Sequence, residues 1–395
     1  MVAPRWFYRG RTRSRAAAGS GQRRSQAGLT LVELMITLII SGIVASSTFM
    51  FFVGQRRVYD TQMKVLSTQQ NLWAAMETLT RLVRAAGMGT FGCVSPTDPT
   101  PTGTTMPATG LRVYSKSANA SMRLAPIWIN NGAAGSPDTL TMVFGNGSFG
   151  NFTDTNLGGT TTAPTSAITT PPGLSTIFRA GEFILLLDNT AAPAGPPIGD
   201  RGCTLFQITA IDPITDSLQH ASTSLWNAGT DVAGLVPFTY TGGATPTAGI
   251  RDFGTLNWVQ FSIDATGPAP RLMMNRLDGN AGPQTLADGI EDLQIAYACD
   301  LVPATDGDGV FTEGTDAASK KADEWTYNVA GDVPPPACNR PQAIRVTIVA
   351  RSTEADTTLA GMAGNAKPAV EDGAAGKADT FRHRVLTTTV FPRNR

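Results

Sequence analysis

The longest nearly uncharged apolar run in the chain is LTLVELMITLIISGIVASSTFMFFV, residues 29–53, with Glu33 as its one charge. At ~1.5 Å per residue, a helix of that length reaches about 37 Å and can cross a ~30 Å hydrocarbon core. Beyond it the pattern changes rather than stops. Val58, Val65, Leu72, Leu79 and Ala86 recur every seven residues, with Gln69, Met76 and Val83 between them. Arg57, Lys64, Gln70, Glu77 and Arg84 occupy the other face. That is an amphipathic stripe at helical period, and Gly87-Met88-Gly89 supplies a stop. The pattern predicts one helix over 29–88, membrane-spanning over 29–53 and amphipathic over 54–88, with Gly54 as the place for a break.

From about residue 110 the period shortens to two. Leu140, Met142 and Phe144 alternate with polar neighbours, as do Phe206, Ile208 and Ala210, then Val259, Phe261 and Ile263, then Leu293, Ile295 and Tyr297. Phe183 to Leu187 is continuously apolar, the mark of a strand buried on both faces. Ile344 to Ala350 predicts another strand, and Val385 to Phe391 one that closes the sheet. Segments rich in Thr, Gly, Pro and Ala (95–110, 145–176, 189–201 and 241–250) are expected as long loops. The fold class is therefore α+β: a long N-terminal helix packed on a β-rich domain spanning 89–395.

Charge changes the picture at the N-terminus. The chain has 31 basic and 31 acidic residues, but residues 1–28 hold seven arginines (Arg5, Arg9, Arg11, Arg13, Arg15, Arg23, Arg24) and no acid, leaving 24 basic against 31 acidic residues in the rest. An arginine arm beside an apolar run sets membrane topology, with the N-terminus cytoplasmic and the remainder across the membrane. No nucleic-acid partner is expected.

Three readings of this segment compete: a plain anchor, a secretory signal peptide cut near Ala45-Ser46-Ser47, and a precursor cut after Gly28. The apolar run continues past residue 47 to Val53, against the second reading. The third accounts for Glu33. A carboxylate in the bilayer costs about 2.5–3.5 kcal/mol even on lenient scales, so it needs a function. A cut after Gly28 gives Leu29 a free amine one helical turn from Glu33, which can neutralise that charge or its counterpart on a neighbouring subunit.

The stretch AGLTLVELMI, residues 27–36, resembles the type IV prepilin signature. The resemblance implies a leader over residues 1–28 removed by a prepilin peptidase, Gly28 on the cleavage side, Leu29 as the methylated first residue (Phe is usual there) and Glu33 as the assembly glutamate. Further on, MGTFGC (88–93), GIEDLQIAYACD (289–300), AIRVTIVARS (343–352) and RVLTTTVFPRN (384–394) resemble PilW-type minor pilins and, more loosely, J-type pseudopilins of type II secretion. This implies a type IV pilin-like fold without catalytic activity. It also implies other minor and major pilins, the inner-membrane assembly platform and membrane lipid as partners. Location would be single-pass in the inner membrane before assembly and on the pilus or cell surface afterwards.

Four cysteines, Cys93, Cys203, Cys299 and Cys338, behind an export-type N-terminus read as two disulfides. Cys299 shares a face with Leu293, Ile295 and Tyr297. Bridging it to Cys338 would staple the loop between them and contribute about 3–4 kcal/mol, leaving Cys93 with Cys203; the sequence leaves all three connectivities open. Within that loop, DGDGVFTE places Asp306 and Asp308 before Gly309 in the manner of a calcium loop, with Glu313 and Asp316 as further ligands. Its first and last places fall on Ala304 and Thr315, where acids belong, so an Asp-Gly turn is preferred and no cofactor is expected.

The two histidines, His220 and His383, lie in no nucleophile motif, and no Walker loop, Rossmann glycine pattern or HExxH occurs. The expectation is a non-enzymatic minor pilin that helps prime pilus assembly at or near the tip. A J-type pseudopilin is the runner-up. An exported β-rich adhesive or ligand-binding module is the reading from another class.

Overall fold

The computed structural model describes residues 30–89, 111–115, 120–147, 155–156, 160–161, 167–170, 172–188, 204–221, 224–227, 240–241, 248–279, 282–300, 310–314, 323–329, 341–356, 359 and 366–392. The chain divides into two units, residues 1–60 and 61–395.

One α-helix, Leu31–Ala85, runs unbroken for 55 residues. Gly54 does not interrupt it. A lone exposed glycine costs only about 1 kcal/mol against alanine, and helical hydrogen bonding is cooperative along the chain. In the first unit every described helical side chain is exposed. In the second unit the helix buries Thr68, Leu72, Ala75, Met76, Leu79, Thr80 and Val83. Their three- and four-residue spacing makes one stripe. The buried stripe starts later than the periodicity predicts, for Val58 is 53% exposed.

The β-domain begins with a five-stranded antiparallel sheet in the order Gln284–Asp288, Arg271–Arg276, Asn257–Asp264, Thr139–Phe144, Ile127–Asn130. A four-stranded antiparallel sheet follows the order Trp325–Thr326, Ile290–Ala298, Ala343–Arg351, His383–Val390. Gly289 joins the two sheets with φ +77°, and a Cβ there would meet the Arg351 carbonyl oxygen at 2.7 Å. Only glycine takes that backbone without strain.

A single core draws on both sheets and the helix. Leu72, Met76, Leu79 and Val83 meet Ile129, Leu140, Met142, Phe261 and Leu272 of the first sheet, and Leu293, Ile295, Tyr297, Ile344, Val346 and Ile348 of the second. On the other face of the five-stranded sheet, Val143 and Trp258 pack with Phe183, Leu185, Leu205 and Phe253. Those four belong to a six-stranded sheet in the order Ala120–Leu124, Leu111–Ser115, Thr204–Gln207, Phe183–Asp188, Ala248–Gly254, Thr155–Asn156. Its far face buries Ile184, Leu186, Phe206 and Ile250 with Ile168 and Leu218 of a three-stranded sheet. Phe183 to Leu186 of this strand are thus buried on both faces, as the apolar run predicts.

Two expectations are corrected. Phe206, Ile208 and Ala210 do not form one strand. Thr204–Gln207 pairs with Phe183–Leu186, then the chain changes sheets and Ala210–Asp212 pairs with Ser217–Gln219. The expected loops 145–176 and 241–250 carry short strands, Ile168–Thr169 and the start of Ala248–Gly254 among them. The expected loops 95–110 and 189–201 lie outside the described residues.

Candidate functional site

The start of the helix is built by its own sequence. Thr30 precedes the first helical residue, and its Oγ1 accepts the Glu33 N–H at 3.2 Å. Its carbonyl accepts the Leu34 N–H at 3.1 Å. The T-x-x-E spacing is that of a capping box, which satisfies an N–H the first turn would otherwise leave open. Glu33 is exposed in that first turn, where a carboxylate also complements the helix dipole.

Further along, the polar side chains turn their hydrogen bonds inward. Thr37 Oγ1 donates to the Leu34 carbonyl, Ser41 Oγ to Thr37, and Ser47 Oγ and Thr48 Oγ1 both to Val44, all at 2.7–2.9 Å. Hydroxyls satisfied within the helix need no water, as a hydrocarbon environment demands. Large apolar side chains face outward all round: Leu31 is 75% exposed, Phe49 70% and Met50 74%. This helix is long and apolar enough to cross a membrane.

The second unit grips its part of the helix by polar contacts as well as by the core. Lys64 pairs with Glu354 at 3.1 Å, and Asn71 Nδ2 donates to the Asp288 carbonyl at 3.1 Å. At the helix end, Gly87 N–H donates to the Val143 carbonyl and Gly145 N–H to the Met88 carbonyl. Positive φ at Gly87 and Gly89 turns the chain there.

Residues 260–394 match the family model for the Type IV Pilus-assembly protein W, and residues 23–49 match the prokaryotic N-terminal methylation motif. Over these two segments the chain is similar to type IV pilus-related pilins. The longer match covers the four-stranded sheet and the strands Asn257–Asp264 (from residue 260), Arg271–Arg276 and Gln284–Asp288 of the five-stranded sheet, and leaves Ile127–Asn130 and Thr139–Phe144 outside it. No curated protein and no solved structure matches the chain. Both matches point to a structural pilus component, and the methylation motif together with the apolar helix points to a membrane-anchored protein.

Of the residues singled out from sequence, Gly28 and Leu29 lie outside the described residues, and Glu33 stands in the first helical turn. Cys299 is 3% exposed in the main core beside Leu293, Ile295 and Tyr297, and it is disulfide-bonded. Cys93, Cys203 and Cys338 lie outside the described residues, so the pairing is not assigned. Asp306, Asp308 and Asp316 also lie outside them. Glu313 is described, and both its oxygens accept from Arg345, at 2.9 and 3.0 Å. Among the described residues no group of three acids, histidines or cysteines is arranged to hold a metal ion.

Sequence reasoning missed a polar junction that fixes the β-domain. Asp138 is fully buried, and its carboxylate accepts N–H groups from Gly132 at 2.8 Å and Ile295 at 2.7 Å. Burial pushes this carboxyl up to about 7, against the pull of those two donors, and the charges of Asp372 and Asp292 add to the rise. Beside it, Lys367 pairs with fully buried Asp292 at 2.6 Å, and Asn131 donates to Asp372 at 2.7 Å. Arg345 joins Glu371 at 2.7 Å and lies 4.3 Å over the Trp325 ring. Asp138 follows Ser-Pro in a sequence loop, so nothing in the local pattern marks it as buried.

Proposed function

We propose that this pilin is a minor component that helps prime pilus assembly, at or near the fibre tip. The observation that carries the reading is the contrast along one helix: a fully exposed apolar stretch with Glu33 as its single charge, followed by a stretch buried on a large β-domain. Prepilin peptidase removes residues 1–28, Leu29 becomes the methylated N-terminus, and the N-terminus faces the cytoplasm before assembly. Glu33 neutralises the amine of Leu29 or of a neighbouring pilin and directs insertion among other pilin helices. The stretch from Leu29 to Arg395, 367 residues with the helix and the β-domain together, is large for a repeating shaft subunit and suits a component used once or a few times.

The test is Glu33→Ala in the full chain, with incorporation into sheared pili as the readout. Loss of incorporation, with the chain still present in membranes, is expected. Unchanged incorporation refutes the assembly role.

A further inference from the structure

On the strand Ile290–Ala298, Leu293, Ile295 and Tyr297 pack into the core with the helix, so Asp292 and Gln294 point the other way. A tight hairpin covers them there. Ala366 and Ala378 form its bridge, and the Gly376 N–H donates to the Lys367 carbonyl at 2.9 Å. Two glycines allow the close fit. A Cβ on Gly376 would meet the Lys367 Cβ at 2.8 Å, and one on Gly373 would meet the Gln294 Cδ at 2.9 Å. Pro368 restricts the Lys367 backbone further. On the facing strand the register shifts between Ile290 and Asp292, a bulge of the kind that re-aims a side chain.

An ion pair needs only two charges in contact. This pair also has the parts of a condensation. Lys367 Nζ lies 2.6 Å from Asp292 Oδ2, which puts the nitrogen beside the carboxyl carbon. The Asp292 side chain has no exposure and that of Lys367 only 17%, so little water reaches the two. Among the described residues Asp292 is the one hydrogen-bond partner of the Lys367 nitrogen. The other carboxyl oxygen, Asp292 Oδ1, accepts from Gln294 Nε2 at 2.9 Å. That donor stands where negative charge collects when a nucleophile adds to the carbon. Gln294 Nε2 is held in place by a second bond, to the Ser136 carbonyl at 3.1 Å. The surroundings also disfavour charge. The Asp138 carboxyl is pushed up to about 7 by burial although two N–H groups donate to it, and the charge of Asp292 adds to the rise.

We propose that Lys367 and Asp292 are the two halves of an intramolecular amide cross-link that the folded chain closes by itself. One proton passes from the ammonium to the carboxylate, leaving an amine and a carboxylic acid. Lys367 Nζ adds to Asp292 Cγ while Gln294 Nε2 holds the oxygen that takes the charge. The Cγ–Oδ2 bond then breaks, and Oδ2 leaves as water with two protons, both from the former ammonium. The amide keeps the third. No oxidant, reductant or co-reactant enters. Fixed reactants of this kind reach effective concentrations of about 10⁵–10⁸ M, which replaces the activation an amide needs in water. The bond joins positions 75 apart in sequence and locks the 366–378 hairpin to the strand Ile290–Ala298. Until it closes, the pair remains a buried ion pair. None of this depends on the pilin reading.

The test is mass spectrometry of the purified full chain, reduced and digested with trypsin. The expected product is peptide 277–320 joined to peptide 352–377, one water lighter than the two together. Its fragment ions should place the link at Asp292 and Lys367. Lys367→Arg keeps the cation but removes the amine, and should abolish the joined product, as should Asp292→Ala. Both peptides recovered separately at full mass, from native chain that unfolds cooperatively in urea, would overturn the proposal. So would a water lost within one peptide, as when an aspartate cyclises onto its own backbone, or a link that survives Lys367→Arg.

Discussion

Asp138 and Ile295 tie two sheets together: the Asp138 carboxylate accepts the Ile295 N–H at 2.7 Å, and the Asp138 N–H donates to the Leu293 carbonyl two residues away, also at 2.7 Å. Residue 138 thereby acts as a short extra strand along Ile290–Ala298, on the side that Trp325–Thr326 covers only at Tyr297 and Ala298. Asp138 immediately precedes the Thr139–Phe144 strand of the five-stranded sheet, so the two sheets meet at this residue.

The junction makes stability depend on pH. The Asp138 carboxyl is raised from 3.8 to about 7, so between those values the folded chain holds a proton the unfolded chain has released. Stability from this group is full below about pH 4, falls as pH rises, and is level above about pH 7. At 1.36 kcal/mol per pH unit the whole effect is of order 4 kcal/mol. Urea midpoints at pH 4.5, 6 and 8 should fall more steeply for the native chain than for Asp138→Asn, which cannot titrate. Parallel slopes would show that Asp138 does not titrate in this window.

Lys367 neutralises a carboxylate that has no exposure at all, Asp292, at 2.6 Å. Lys367→Met should cost about 3–5 kcal/mol, because it strands a buried charge. Lys367→Met with Asp292→Asn should recover much of that loss, since the pair goes together. Chemical denaturation of the two variants checks this, and equal losses would mean the pair is not coupled.

Leu79 is fully buried in the core formed by the helix and both sheets. Leu79→Ala should destabilise the β-domain by about 2–5 kcal/mol. Trp73→Ala, on the exposed face, should stay within about 0.5 kcal/mol. Thermal or urea unfolding of the two variants separates the faces of the helix, and a large loss at Trp73 would place it in the core instead.

What the sequence makes legible follows from period and exposure. The helix could be read because its apolar run and seven-residue stripe are long. Thr139–Phe144, Ile290–Ala298 and Ala343–Arg351 could be read because their inward faces alternate. Arg271–Arg276 was hidden because arginines end it and only Leu272 is buried. The split at Ile208 was hidden because alternation continues in sequence while the chain changes partners. Asp138, Asp292 and Lys367 were invisible as a group. They lie 75 to 229 residues apart in sequence, and a buried carboxylate is written with the same letter as a solvated one. Glu33 was legible for the opposite reason, being a lone charge in an apolar run.

The proposed function turns on a cut after Gly28, whose new N-terminus would give Glu33 its partner. The most direct test is Edman sequencing and intact mass of the chain recovered from cells that assemble pili. The account predicts a start at Leu29 with a methylated α-amine. A start near Ser47, or an intact Met1 in assembled material, would contradict it.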